Sequence, residues 1–381
     1  MIYLDNAATS GKKPDEVYEA VLDALKNASG NPGRSGHQVS LRAGHIVNEA
    51  RLKCARLIGA EEAERIVFGG NATDALNTAI MGIASGCRHI ITSSMEHNSV
   101  ARPLEYLRKR GVKISKIRTS VDFGTDPDEI RRAITKDTGL VVINHVSNVT
   151  GTVNDIEAIG KVCREKGIPF LVDASQSIGA LPIDVRTMNI DMLAFPGHKS
   201  IMGPQGTGAL YIRKGIEISP LKRGGTGSRS ELLDQPEDMP DRFESGTLNV
   251  PGIAGLCAGI DFINSVGIGN IEEKERKLTE MLIEGLEMID KVKVFAPAAG
   301  LRRGSVMSMT LEGMDPQDVG MILDEAFDIA VRAGLHCAPD AHSSIGTLES
   351  GGTVRISPGY FTSEEEIASC VDAVRNIAGS I

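Results

Sequence analysis

Two short segments join an apolar, strand-like run to a reactive end. Phe170-Leu171-Val172-Asp173 stops in a carboxylate, and Leu193-Ala194-Phe195-Pro196-Gly197-His198-Lys199 stops in a lysine. An ammonium is disfavoured in apolar surroundings, so a lysine held there becomes a usable amine near neutral pH. Such an amine forms Schiff bases with aldehydes. Taken singly, a lysine after a strand is more often a solvated turn residue, and a strand-end Asp is often a helix cap. The pair gains weight from what surrounds it.

Gly69-Gly70-Asn71-Ala72-Thr73-Asp74 falls between a strand pattern and a helix pattern. Glycines let the backbone approach an anion, and the helix start offers free N–H groups, with Thr73 adding a hydroxyl. It is not a Walker loop, because the Gly-Lys-Ser/Thr ending is missing. A plain N-cap explains it equally well on its own. His97, in Ser94-Met95-Glu96-His97-Asn98-Ser99, follows another strand and offers a flat ring for stacking. A strand-end carboxylate, a lysine amine, a phosphate cradle and a stacking ring together suit pyridoxal phosphate (PLP), whose protonated ring nitrogen wants an acidic partner.

Gly334-Leu335-His336-Cys337-Ala338-Pro339 sets one cysteine in a loop-like stretch. Cys54, Cys87, Cys163, Cys257 and Cys370 sit in helical or strand-flanking patterns and read as small core residues. Cys337 is therefore the candidate reactive thiol. Arg355, in Thr353-Val354-Arg355-Ile356-Ser357, projects from a short apolar strand. A partly buried Arg wants a carboxylate or phosphate partner, which an amino-acid substrate supplies; a structural ion pair is about as good a reading.

The elements that position these residues alternate. Helical patterns cover 14–28 and 40–58. Strand and helix then alternate: strand 65–68, helix 73–84, strand 89–92, helix 101–110, strand 112–117, helix 127–134, strand 140–144, helix 156–165 and strand 170–173. Two more strands follow at 192–195 and 208–212. This spacing predicts a mainly parallel sheet between helices, with ligands at the carboxyl ends of its strands. Residues 220–250 read as a long loop rich in Gly, Pro and Ser, of the functional or interfacial kind. Helices near 252–266, 270–290, 315–326 and 363–378, with strands near 305–311 and 353–356, predict a smaller α+β unit. The segment 338–352 reads as a polar, Gly/Ser-rich loop.

Length and composition fit this outline. The chain has 381 residues, enough for two or three domains. A net charge of −9 argues against nucleic acid or an anionic membrane as the main partner. Six scattered cysteines without a CxxC form neither a disulfide framework nor a zinc site, and suggest reduced thiols in the cytosol. Neither a signal-peptide pattern nor an apolar run of membrane-spanning length is present. The expected location is cytoplasmic.

The ordered set of motifs resembles the cysteine desulfurase family, in the class V aminotransferase branch of fold-type I PLP enzymes. The matching segments run from Tyr3-Leu4-Asp5-Asn6-Ala7-Ala8 through Ala72-Thr73-Asp74, Glu96-His97 and Val146-Ser147-Asn148-Val149-Thr150-Gly151. They continue with Asp173 to Gln176, Gly197-His198-Lys199, Gly246-Thr247, Arg332 to Cys337, and Arg355. The short Gly-Leu-His-Cys form is similar to group II desulfurases and selenocysteine lyases.

The resemblance implies a fold with a seven-stranded, mainly parallel sheet. It also implies an N-terminal segment (1–15) packing on the small domain, a large PLP-binding domain (16–250) and a small C-terminal domain (251–381) that carries the cysteine. Lys199 would hold PLP and later move protons at the substrate Cα, Asp173 would pair with the ring nitrogen, and His97 would stack on the ring. Gln176 would bond the phenolic oxygen. Thr73, Ala72 and His198 would surround the phosphate, helped by Thr247 from a second subunit. Asn148 and Arg355 would orient the substrate carboxylate. Cys337 would take the sulfur of L-cysteine as a persulfide and release alanine. Pro196 stands where many group II members have Ser, and Ala72 where a second Thr is common. The phosphate would then lean on backbone N–H groups.

The implied partners are L-cysteine or L-selenocysteine, a second copy of the chain and a sulfur-acceptor protein, with no nucleic acid, membrane or metal. Three alternatives stand beside the desulfurase: a selenocysteine lyase on the same scaffold, another class V transaminase or lyase, and a PLP-binding carrier or scaffold protein without turnover.

Overall fold

A computed structural model describes residues 1–33 and 35–381. Its main sheet has seven strands, in the spatial order Ile66–Gly69, Gly208–Ile212, Met192–Pro196, Phe170–Asp173, Thr138–Asn144, His89–Ser93 and Lys113–Ile117. All neighbours pair in parallel except Gly208–Ile212, which runs antiparallel to both of its partners. Alternate residues along each strand enter different cores. Ile91, Val141, Ile143, Phe170 and Val172 pack on one side. Ile90, Leu140, Val142 and Leu171 pack on the other. Both faces are covered by helices, so the strands read as unbroken apolar runs rather than alternating ones.

A second, antiparallel sheet orders Val292–Phe295, Met307–Leu311, Thr353–Ile356 and Arg332–Gly334. Helices Ile268–Glu287, Pro316–Phe327 and Glu364–Gly379 pack around it on a separate apolar cluster that includes Leu282, Met309, Leu323, Val354 and Val374. Ile2–Tyr3 pairs in parallel with Ile329–Ala330 at the edge of this unit. Between Ile212 and Val250 the chain forms neither helix nor strand, as its composition predicts. Among the described residues no single helix is long and apolar enough to cross a membrane.

The elements differ from the sequence reading where they are short. Ile2–Tyr3, Ile329–Ala330, Arg332–Gly334 and Val292–Phe295 are two to four residues long and carry no readable period. The expected loop after Cys337 contains a helix, Pro339–Ile345. Pro339 opens it and Gly346, at φ +77°, ends it, but seven residues with one buried side are too few to show amphipathic spacing. The helix expected from 101 begins at Asn98, with His97 as its cap.

Candidate active site

Register places the strand ends side by side: Asn144 opposite Asp173, and Asp173 opposite Ala194. Asp173 is 4 % exposed, and its Oδ1 accepts from Ser175 N at 2.9 Å and from Ser175 Oγ at 2.5 Å. Behind it, buried Glu96 accepts from Asn144 N at 3.0 Å and from Ser93 Oγ. Burial pushes that carboxyl up to about 8, so it braces the strand ends largely as a neutral acid.

Lys199 leaves the end of Met192–Pro196 through Gly197 and His198. The turn is closed by Met202 N to Lys199 O (2.7 Å) and Gly203 N to Gly197 O (2.8 Å). Its Nζ makes neither a hydrogen bond nor an ion pair with the described residues. Burial pushes the Lys199 ammonium down to about 8; Asp173 opposes this, while Arg355 and Arg332 reinforce it.

On the opposite wall, Ala72 and Thr73 open helix Ala72–Ile83, and Asn71 Oδ1 caps it by accepting from Asp74 N at 2.9 Å. Gly208 lets this helix start close on the sheet: a Cβ there would lie 2.6 Å from the Asn71 carbonyl carbon. Thr73 Oγ1 and Ser99 Oγ share a hydrogen bond of 2.7 Å. His198 Nδ1 is buried without a partner among the described residues, while its carbonyl accepts from Ser10 N (3.0 Å) and Thr9 Oγ1 (3.1 Å). Burial, reinforced by Lys199, pushes His198 down to about 4. Pro196 and Ala72 add no side-chain donor, so the polar groups here are backbone N–H, Thr73, Ser99 and His198.

His97 Nδ1 accepts from Ser99 N at 3.1 Å, which leaves the imidazole proton on Nε2. Burial drives its pKa to about 4, so the ring is neutral. Asn148 Nδ2 donates to the His336 carbonyl at 2.8 Å, and its Oδ1 is buried without a partner among the described residues. Gln176 Nε2 donates to Ala7 O at 3.0 Å. Arg355 is 1 % exposed; Nη2 donates to Asp5 Oδ1 at 2.7 Å and Nη1 to Asn148 O at 3.2 Å.

The chain thus gathers Thr73, Ala72, His97, Asn148, Asp173 and Gln176 with His198, Lys199 and Arg355 around one cavity of about 200 Å³. Cys337 is exposed and lines the neighbouring groove, which shares Thr73, His97 and Ser99 with the cavity. Two successive left-handed residues, His336 (φ +49°) and Cys337 (φ +58°), form a sharp turn there. Asn98 N donates to the Cys337 carbonyl at 2.7 Å, and Arg332 Nη2 lies 3.4 Å from its Sγ. Thr247 stands apart from the cavity: it is exposed, and its hydroxyl accepts from Asn31 Nδ2 at 3.3 Å. The other cysteines are buried, as their patterns predict.

Sequence reasoning missed four contributors. Ser99 links Thr73 to His97, Ser175 seats Asp173, Arg332 lines the cavity opposite Arg355, and Asp5 pairs with Arg355. Arg332 could have been read from its sign and its place five residues before Cys337. The roles of Ser99 and Ser175 depend on the turns that follow their strands, which carry no periodic signal.

A model of the aminotransferase class-V family matches residues 2–369. A protein of Methanothermobacter thermautotrophicus named a probable cysteine desulfurase is 38 % identical over 388 residues, covering 99 % of this chain and 95 % of the relative. The Methanosarcina thermophila protein named cysteine desulfurase IscS is 34 % identical, covering 99 % and 91 %. Among solved structures, the apo cysteine desulfurase of Thermococcus onnurineus NA1 superposes with a TM-score of 0.92 at 34 % identity, over 100 % of this chain and 95 % of that one. The Escherichia coli cysteine desulfurase CsdA gives 0.89 at 27 %, with the same coverage.

Proposed function

The chain belongs to the aminotransferase class-V family, and we propose that it is a PLP-dependent cysteine desulfurase that converts L-cysteine to L-alanine and holds the sulfur on Cys337. The observation that carries this reading is the cavity itself: an amine of lowered pKa, a seated strand-end carboxylate and a neutral imidazole face one space.

The residues present fit the cofactor. His198 Nδ1, Asn148 Oδ1 and Arg355 Nε are buried polar atoms without partners among the described residues, and such atoms call for a polar ligand. Thr73, Ser99, the Ala72–Thr73 N–H groups and His198 would hold the phosphate, with Thr247 of a second copy as a further donor. Gln176 would meet the phenolic oxygen. Bound there, PLP supplies an electron sink conjugated to the substrate Cα.

The protein's own groups do the rest. Lys199 would anchor the cofactor, and its amine is placed to move a proton at the substrate Cα. Asp173, fixed by Ser175, would meet the ring nitrogen and favour its protonated form. His97 would stack on the ring, with its Nε2–H available as a donor. Arg355 and Asn148 orient the substrate carboxylate. Cys337 Sγ attacks the substrate sulfur: a sulfur–sulfur bond forms, the substrate Cβ–S bond breaks, and the carbon product leaves as alanine once Cβ is protonated. The thiolate is the attacking form.

The N-terminal segment and the units 16–250 and 251–381 are read as cooperating parts, with the cofactor held mostly by the middle one. A homodimer, a sulfur-acceptor protein and a cytoplasmic location complete the proposal. Because Cys337 lies beside the cavity rather than in it, a selenocysteine lyase, whose selenide release does not need that thiol, is the competing reading. Alanine release from L-cysteine and from L-selenocysteine, for the wild type and Cys337→Ala, separates the two. Loss of only the sulfur reaction in the variant supports the desulfurase. Activity on selenocysteine alone, unaffected by the substitution, supports the lyase.

A further inference from the structure

The donors of Arg355 are unevenly used. Nη1 goes to Asn148 O and Nη2 to Asp5 Oδ1, while Nε is buried with no partner among the described residues. A guanidinium meets a carboxylate best through two parallel N–H groups. Asp5 touches only one, so the edge formed by Nε and Nη2 is half filled. Across the sheet, Arg332 stands in register with Arg355 and has no acidic partner among the described residues. The pair therefore carries two positive charges against one nearby carboxylate.

Asp5 can change partner without disturbing the segment that carries it. Its carbonyl accepts from Ala8 N at 3.0 Å, and its neighbours are tied down by Leu4 N to Ala330 O (2.9 Å) and Asn6 N to Ser357 O (3.2 Å). Gln176 Nε2 to Ala7 O continues the tie on the large-domain side. Among the described residues the Asp5 side chain makes one polar contact, to Arg355, and is 21 % exposed, whereas that of Arg355 is 1 % exposed. The backbone is fixed, and the carboxylate has a route to water.

We propose that Asp5 is a displaceable counter-anion for Arg355: it neutralises the guanidinium in the ligand-free chain and cedes Nη2 to the substrate α-carboxylate, which then takes Nε and Nη2 together. Asp5 is thus a specificity-determining residue. It sets how strong a carboxylate contact a ligand must make before it is retained. This inference rests on the reading that Arg355 receives the substrate carboxylate.

The test uses the PLP-loaded enzyme with Asp5→Asn, which keeps the size and an acceptor oxygen but removes the charge. The KM for L-cysteine and the calorimetric Kd for the product L-alanine are measured. Both should fall roughly tenfold, about 1.4 kcal/mol, with the change carried by KM rather than kcat. Asp5→Ser should move both in the same direction and decides the matter if Asp5→Asn does not fold. Asp5→Glu, which restores the charge, should not lower either constant. Arg355→Lys serves as the control. If it raises both constants while the uncharged Asp5 variants leave them unchanged or raise them, Asp5 is a structural partner only and the proposal is overturned. If Arg355→Lys moves neither constant, the carboxylate is not bound at Arg355, and the underlying reading falls with the proposal.

Discussion

Arg332 and Arg355 face each other across adjacent antiparallel strands, and both line the cavity that holds Lys199. Like charges opposite one another on a sheet repel. Asp5 offsets one of them in the ligand-free chain, and under the proposed function the substrate carboxylate would meet the Arg355 guanidinium. Arg355→Lys keeps the charge but replaces a planar fork with a point charge. KM for L-cysteine should rise roughly ten- to hundredfold, equivalent to about 1.4–2.8 kcal/mol. A KM close to the wild-type value would place the carboxylate elsewhere.

Lys199 gives a pH prediction. Burial lowers its pKa from the ordinary 10.5 to about 8, so the neutral amine becomes available as pH rises through about 8. Uptake of PLP by the apo-protein should accelerate over that range and then level off, as followed by absorbance. A midpoint near 10 would mean that the amine is not activated. In Lys199→Ala, borohydride should fail to fix the cofactor to the chain, and covalent label on any other lysine would refute the assignment.

Asp173 is held by Ser175 and placed by the register of two parallel strands. Asp173→Asn removes the charge that would keep the ring nitrogen protonated. Turnover should drop by about 10²–10³-fold, the scale of losing one preorganised electrostatic partner, while PLP remains attached to Lys199. Near-normal turnover would rule out the role.

One buried ion pair ties the segment between Ile212 and Val250 to helix Gln38–Leu57 and strand Ile66–Gly69. Arg51 donates from two nitrogens to Glu244, at 2.8 and 2.9 Å, and Glu244 also accepts from Phe68 N at 2.7 Å. Both side chains are under a tenth exposed. Removing one partner leaves a buried, unmatched charge, so Arg51→Met should cost about 3–5 kcal/mol of stability. A denaturant midpoint unchanged from wild type would contradict this.

The sheet was legible because its strands are buried on both faces and separated by helices of readable period. Asp173, Lys199 and His97 could be picked out for the same reason, since Asp173 ends a visible strand and the other two follow one within four residues. Arg355 was visible as a charge in an apolar run, but the sequence left ligand and ion pair as equal readings. The ion-pair partner, Asp5, lies 350 residues away in sequence, and such a contact leaves no local trace. Ser99 and Ser175 were missed because short turns, not periodic elements, aim them. The helix Pro339–Ile345 was hidden by its polar composition and its length of seven residues. Thr247, assigned to a second copy by resemblance, lies outside the cavity of its own chain.

The most direct test of the central claim is a single turnover of the PLP-loaded enzyme with L-cysteine in the absence of any thiol reductant, read by alanine quantitation and peptide mass spectrometry together. One alanine per subunit is expected, with a Cys337 peptide heavier by one sulfur atom and the Cys54, Cys87, Cys163, Cys257 and Cys370 peptides unchanged. Alanine formed while the Cys337 peptide keeps its original mass, or sulfur found on another cysteine, would contradict it.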